Sequence, residues 1–138
     1  ELFGVLRRLG LNYKDFEQLY RRMVFNVIAR NHDDHTKNFS FLMDKAGKWS
    51  FAPAYDLCYS YNPAGRWTSR HQLSLNSKTN DFAREDLLAV AQNIGIRDAN
   101  HIIEEVLSTV ASWPDTAKDC GVRPEHIEAI SKTLLLYI

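Results

Sequence analysis

Asn31-His32-Asp33-Asp34-His35-Thr36-Lys37-Asn38 is the stretch on which the fold turns. Histidine, aspartate and lysine crowd it, and an asparagine stands at each end. Upstream, Phe16, Leu19, Tyr20, Met23, Val24, Val27 and Ile28 recur at three- and four-residue intervals, the rhythm of a helix with one buried face. Downstream, Phe39-Ser40-Phe41-Leu42-Met43 alternates as a strand does. A dense polar loop therefore joins two elements that belong in the core. Burying unpaired charge is costly, so charge runs ordinarily lie on exposed faces. One fixed between two core elements marks a candidate site held on a rigid scaffold.

Working outward, the upstream helix is predicted over 13–29, with Asn12 as its N-cap. Leu2, Phe3, Val5, Leu6 and Leu9 predict a short helix before it, stopped by Gly10. Two strands are expected at 38–43 and 49–52, joined by Asp44-Lys45-Ala46-Gly47-Lys48. This hairpin would return Asp56, in Pro53-Ala54-Tyr55-Asp56-Leu57, to the side of Asn38. Residues 59–81 read as loop, with a weakly alternating strand at 71–76; so long a loop is often functional. Helices are predicted at 84–93, closed by Gly95, and at 98–113, stopped by Pro114. A last one opens at Arg123-Pro124, with Ile127, Ile130, Leu134 and Leu135 inside it. The expected fold is mainly α with a small β-hairpin (α+β), one domain over 1–138, its helical tail bundled on the site.

At 138 residues, 45% hydrophobic and 12% aromatic, the chain can build a real core and is not a disordered segment. Lys+Arg and Asp+Glu both total 17, which gives no electrostatic footprint for nucleic acid or a membrane surface. No apolar run approaches the ~18 residues of a membrane span, and no signal peptide is visible. Cys58 and Cys120 form no Cys-x-x-Cys pair, which excludes a zinc site of that type. Both are expected to be free, buried thiols in a reducing cytoplasm. The chain opens at Glu1 on what reads as the end of a helix, so it is expected to be a fragment of a longer protein.

Asp33 and Asn38 are five positions apart. That is the separation of base and metal-ligand asparagine in a kinase catalytic loop, His-Arg-Asp-x-x-x-x-Asn. One carboxylate there meets the acceptor hydroxyl, and an amide oxygen one loop-turn away binds Mg²⁺ without adding negative charge. The spacing recurs by chance and gains meaning only with a second metal-binding carboxylate, which Asp56 supplies.

These motifs resemble a known family. Phe25-Asn26-Val27-Ile28 leading to Asn31-x-Asp33-Asp34-His35-x-Lys37-Asn38-Phe39, then Ala52-Pro53-Ala54-Tyr55-Asp56-Leu57, is similar to the C-terminal lobe of HipA-like Ser/Thr kinases. These are bacterial toxins of toxin–antitoxin modules with a fold related to lipid kinases. The resemblance covers most of the chain, including His71-Gln72-Leu73-Ser74-Leu75-Asn76 and the tail. It implies Asp33 as catalytic base, Asn38 and Asp56 as Mg²⁺ ligands against the ATP phosphates, His35 as a loop-shaping residue and Lys37 as charge near phosphate or substrate. It also implies a substrate in the translation machinery, such as an aminoacyl-tRNA synthetase, and a small HipB-like DNA-binding antitoxin as partner, so that DNA is met only indirectly. The chain departs from the pattern in one large respect. Its glycines, at 4, 10, 47, 65, 95 and 121, never form a phosphate-cradling loop, and no Val-Ala-Ile-Lys strand is present. The expectation is half of a kinase, which alone binds ATP weakly and turns over negligibly.

Two other readings compete. His32, Asp33 and His35 could bind a transition metal in a phosphohydrolase, given further ligands from elsewhere. A kinase lobe could also serve as a non-catalytic docking module for an antitoxin. His71, His101 and His126 are read as surface or core histidines, and Trp49, Trp67 and Trp113 as packing residues.

Overall fold

Helix α2 (Tyr13–Ile28) is the axis of the fold, and its ends are fixed by different means. At its start the Asn12 side chain accepts from the backbone N–H of Lys14 (2.8 Å) and Asp15 (3.4 Å), while the Asp15 carboxylate accepts from Asn12 N–H (3.2 Å). This reciprocal box satisfies amides that the first turn leaves without partners. At its end, Asn31 N–H reaches back to Asn26 O (2.9 Å) and Arg30 N–H to Val27 O (3.4 Å), with Arg30 at φ 59°. That is a Schellman turn with arginine where glycine is usual, a placement that costs roughly 1 kcal/mol. The Arg30 guanidinium lies 4.2 Å from the Tyr61 ring centroid, and this contact offsets part of the cost.

The structure, a computed structural model, describes all residues 1–138. Helix α1 (Leu2–Arg8) packs on α2 and buries Leu6. Helices α3 (Arg84–Ile94), α4 (Ala99–Ala111), α5 (Trp113–Asp119) and α6 (Pro124–Ser131) follow the loop region. The core forms where Tyr20, Val24, Val27 and Ile28 of α2 meet Leu87 and Ala91 of α3 and Ile102, Ile103, Val106 and Val110 of α4. Tyr20 donates its hydroxyl to Leu87 O (3.1 Å); burial pushes its pKa up to about 12, against the pull of Arg84.

The only sheet is the antiparallel pair β1 (Phe41–Met43) and β2 (Trp49–Phe51), in the register Phe41↔Phe51, Leu42↔Ser50, Met43↔Trp49. Its turn is closed by Asp44, whose side chain accepts from Ala46 N–H (2.8 Å) and Lys48 N–H (2.9 Å). Gly47 sits at φ 79°, a conformation an L side chain resists. Ala52 N–H bonds Ser40 O (3.0 Å), so the return strand stays beside the outgoing one as far back as Ser40.

Helix and hairpin stand as expected, but four local expectations need correction. The first strand does not begin at Asn38, because Thr36–Asn38 form a 3-10 turn and pairing starts at Phe41. The stretch 71–76 is not a strand. Its end is a tight two-residue turn, Leu75 and Lys78 exchanging backbone bonds around Asn76 (φ 48°) and Ser77 (φ 64°). Asp86 clamps that turn to α3, accepting from Asn76 (2.8 Å), Lys78 (2.7 Å) and Ala83 N–H (2.9 Å). Pro114 does not merely stop a helix: it lies in the first turn of α5, where its missing N–H costs nothing. Leu134 and Leu135 lie beyond α6, and reach the core as an irregular segment in which Leu135 N–H bonds Ile28 O (3.0 Å). No helix is long and apolar enough to cross a membrane.

Candidate active site

The Schellman turn delivers Asn31 against a second segment. Ser60 N–H bonds Arg30 O (3.0 Å) and His32 N–H bonds Ser60 O (3.3 Å), a short parallel bridge. The Asn31 amide donates to Asn26 Oδ1 (3.0 Å) and to Asp56 O (3.3 Å). One buried asparagine thus ties the helix end, the loop and the residue-56 segment together. Past it, side chains alternate. His32 is fully buried, Asp33 is turned outward with 46% of its side chain exposed, and Asp34 is buried again.

The Asp33 carboxylate accepts no hydrogen bond; its nearest cationic group is His35 Nε2, at 3.9 Å. Asn38 closes the loop by donating its amide nitrogen to Asp33 O (3.0 Å), which leaves Asn38 Oδ1 without a partner. His35 caps the 3-10 turn from an extended conformation, and its Nδ1 is buried without a partner. Lys37 is exposed; its ammonium pairs with no carboxylate, and its carbonyl accepts the Tyr55 hydroxyl (2.7 Å). That bond brings the hairpin's return segment onto the loop. Asp56 follows at φ 53°, a left-handed conformation that costs of order 1 kcal/mol in a non-glycine residue. Its exposed carboxylate is 4.0 Å from Cys58 Sγ.

Cys58 reports on the geometry. Burial pushes its thiol pKa up, and the negative charges of Asp56 and then Asp33 push it further. Of the two, the Asp56 carboxylate is the one in contact with that sulfur, at 4.0 Å. The expectation of buried thiols is corrected here: Cys58 and Cys120 are free and exposed.

Asn38 Oδ1 has no protein partner, and the Asp56 carboxylate accepts only from the Cys58 thiol, at 4.0 Å. That set suits Mg²⁺, which keeps several waters and shares phosphate oxygens instead of filling an all-protein cage. Nowhere do three His, Cys, Asp or Glu side chains converge as a metal-holding group. His32 in particular does not join Asp33 and His35. It is buried between Tyr61 (ring centroids 4.8 Å) and His71 (4.1 Å). Burial, with the positive charges His71 and Arg30 would carry, lowers its pKa to about 4, against the smaller opposing effects of Asp34 and the Thr68 backbone. His32 is thus a neutral core residue at ordinary pH, packed away from Asp33 and His35.

Two residues carry more of the local structure than spacing suggested. Asp34 accepts from the backbone N–H of Gln72 (2.7 Å) and Leu73 (3.3 Å) and pairs with His71 Nδ1 (2.9 Å). Tyr55 was visible only as part of the Ala-Pro-Ala-Tyr-Asp motif, and no pattern linked Asp34 to His71 across 37 positions. A cavity of about 530 Å³ lies between α1, α2 and the 71–75 segment, with Phe3, Met23, Asp34, His71 and Phe82 in its wall. Asp33, Asn38 and Asp56 do not line it.

Comparison with known proteins agrees with this architecture. The family described as "HipA-like C-terminal domain" matches residues 1–132. A Haemophilus influenzae protein described as "Putative kinase" is 23% identical over 136 aligned residues. That match takes in 84% of this chain but only 39% of the relative's length. The chain belongs to the HipA-like C-terminal domain family.

Proposed function

We propose that this chain is the catalytic lobe of an ATP- and Mg²⁺-dependent kinase that phosphorylates a serine or threonine of a protein. What supports the reading is the tethering of the segments that carry Asp33, Asn38 and Asp56, through the Asn38 amide on Asp33 O, the Tyr55 hydroxyl on Lys37 O and the Asn31 amide on Asp56 O. When bound, Mg²⁺ neutralises charge on the transferring phosphoryl group. Asn38 Oδ1 and the Asp56 carboxylate are the groups that would hold it. Asp33, outward and unbonded, accepts the proton of the acceptor hydroxyl and orients that oxygen in line. Lys37, with its ammonium in solvent, meets phosphate or substrate charge, while His35 shapes the turn that presents Asn38. The nucleotide's other wall is supplied from outside these residues, so the chain alone binds ATP weakly. Family membership extends the proposal to a role as a toxin, a substrate in translation such as an aminoacyl-tRNA synthetase, a HipB-like antitoxin partner and a cytoplasmic location.

The test is Asp33→Asn in the full-length protein, with γ-phosphate transfer followed from labelled ATP. The variant should fold normally and lose at least a hundredfold in kcat. Transfer at wild-type rate would overturn the assignment and favour a docking module.

A further inference from the structure

Asp33 has a task that requires placement to within a fraction of an ångström, yet no hydrogen bond holds its carboxylate. Its position is set wholly by its backbone. On one side that backbone is fixed through Asn31 and His32, by the Asn26, Asp56 and Ser60 bonds. On the other side two things hold it: the Asn38 amide on Asp33 O, and the buried Asp34 carboxylate with its three partners from residues 71–73.

We propose that Asp34 and His71 form a positioning pair for the transfer reaction, resting on the kinase reading above. Because successive side chains leave an extended backbone on opposite faces, anchoring Asp34 inward drives Asp33 outward. Asp34 already accepts two backbone N–H bonds, and its second oxygen takes the His71 Nδ1 proton. A buried carboxylate facing Nδ1 fixes the orientation of the ring. His71 also packs against the His32 and Phe82 rings (centroids 4.1 and 5.2 Å), which restricts its own orientation. Neither Asp34 nor His71 touches the reacting atoms; both act through the main chain of residue 33.

The full-length protein is assayed as wild type, Asp33→Asn, His71→Leu, His71→Asn and Asp34→Asn. His71→Leu should lower kcat ten- to a hundredfold while the KM values for ATP and protein substrate stay within twofold. His71→Asn restores a donor near the Nδ1 position and should recover most of kcat, which simple loss of packing does not predict. Asp34→Asn keeps side-chain volume and carries the test if His71→Leu fails to fold. It should lower kcat likewise, and ¹⁵N spectra should show the His71 proton moved from Nδ1 to Nε2. Wild-type kcat in folded Asp34→Asn and His71→Leu overturns the pair, as does equal loss in His71→Asn and His71→Leu. If Asp33→Asn itself is fully active, the kinase reading fails first, and that outcome is read separately.

Discussion

Lowering the pH from 7 to 4.5 should destabilise the fold by roughly 2 to 3 kcal/mol through His32 alone. The imidazole is fully buried, and its pKa falls from the ordinary 6.5 to about 4. Unfolded chains therefore take up this proton near pH 6.5, while folded chains resist it until about pH 4. The sign follows: the residue's stabilising contribution is complete above pH 6.5, shrinks as pH falls through the window, and reaches its full loss near pH 4. A shift of this size sets the limit at about 3 kcal/mol, most of which is lost by pH 4.5. The assay is urea unfolding followed by circular dichroism at pH 7 and 4.5, for wild type and His32→Phe. Phenylalanine keeps a ring between Tyr61 and His71 but does not titrate. At an m-value of about 1–2 kcal/mol per molar, the wild-type midpoint should fall about 1–2 M further than the variant's. Equal acid sensitivity in the two proteins would refute the placement of a neutral His32 in the core.

Further outcomes follow from three other sites. Asp86→Ala should cost about 2–4 kcal/mol in urea unfolding, because it strips partners from Ala83 N–H, Asn76 and Lys78 at once; a loss under 0.5 kcal/mol would deny the clamp. Those same three donors hold its carboxyl pKa down to about 2, so the clamp should survive acid that has already protonated ordinary carboxylates, and ¹³C titration of the side chain checks it. Ile103→Ala removes a fully buried side chain where α4 faces α2 and should cost about 2–5 kcal/mol by the same unfolding assay. Alkylation of Cys58 by iodoacetamide at pH 8 should quicken several-fold in Asp56→Asn, since the lost charge no longer opposes the thiolate; an unchanged rate would separate the two residues.

Helix α2 was legible because its signals are local: a capping asparagine, an unbroken three-and-four rhythm and a polar stretch at its end. The hairpin was legible for the same reason, with Asp44 and Gly47 marking its turn. What escaped depended on partners far away in sequence. Nothing in Leu134-Leu135 distinguishes a helical leucine from one laid irregularly on the core; α6 ends at Ser131 and the following residues find Ile28 instead. Pro114 was ambiguous because proline both stops one helix and starts another. In the candidate site, Asp33, Asn38 and Asp56 carried spacing and motif signals. Asp34 and His71 lay within motifs too, but nothing paired them, since a buried carboxylate–imidazole pair is made by the fold and leaves no periodic trace.

The bond from Leu135 N–H to Ile28 O joins the end of the chain to the residue from which the polar loop departs. An α-helix leaves its final carbonyls open, and here a late tail residue answers one of them. Shortening the protein by its last few residues would therefore be felt at the opposite terminus of the fold's architecture. Ile28 would lose its cover, the turn at Arg30 its backing, and the loop beyond it part of its footing. The 134–138 segment serves as a keystone for a span laid down more than a hundred residues before.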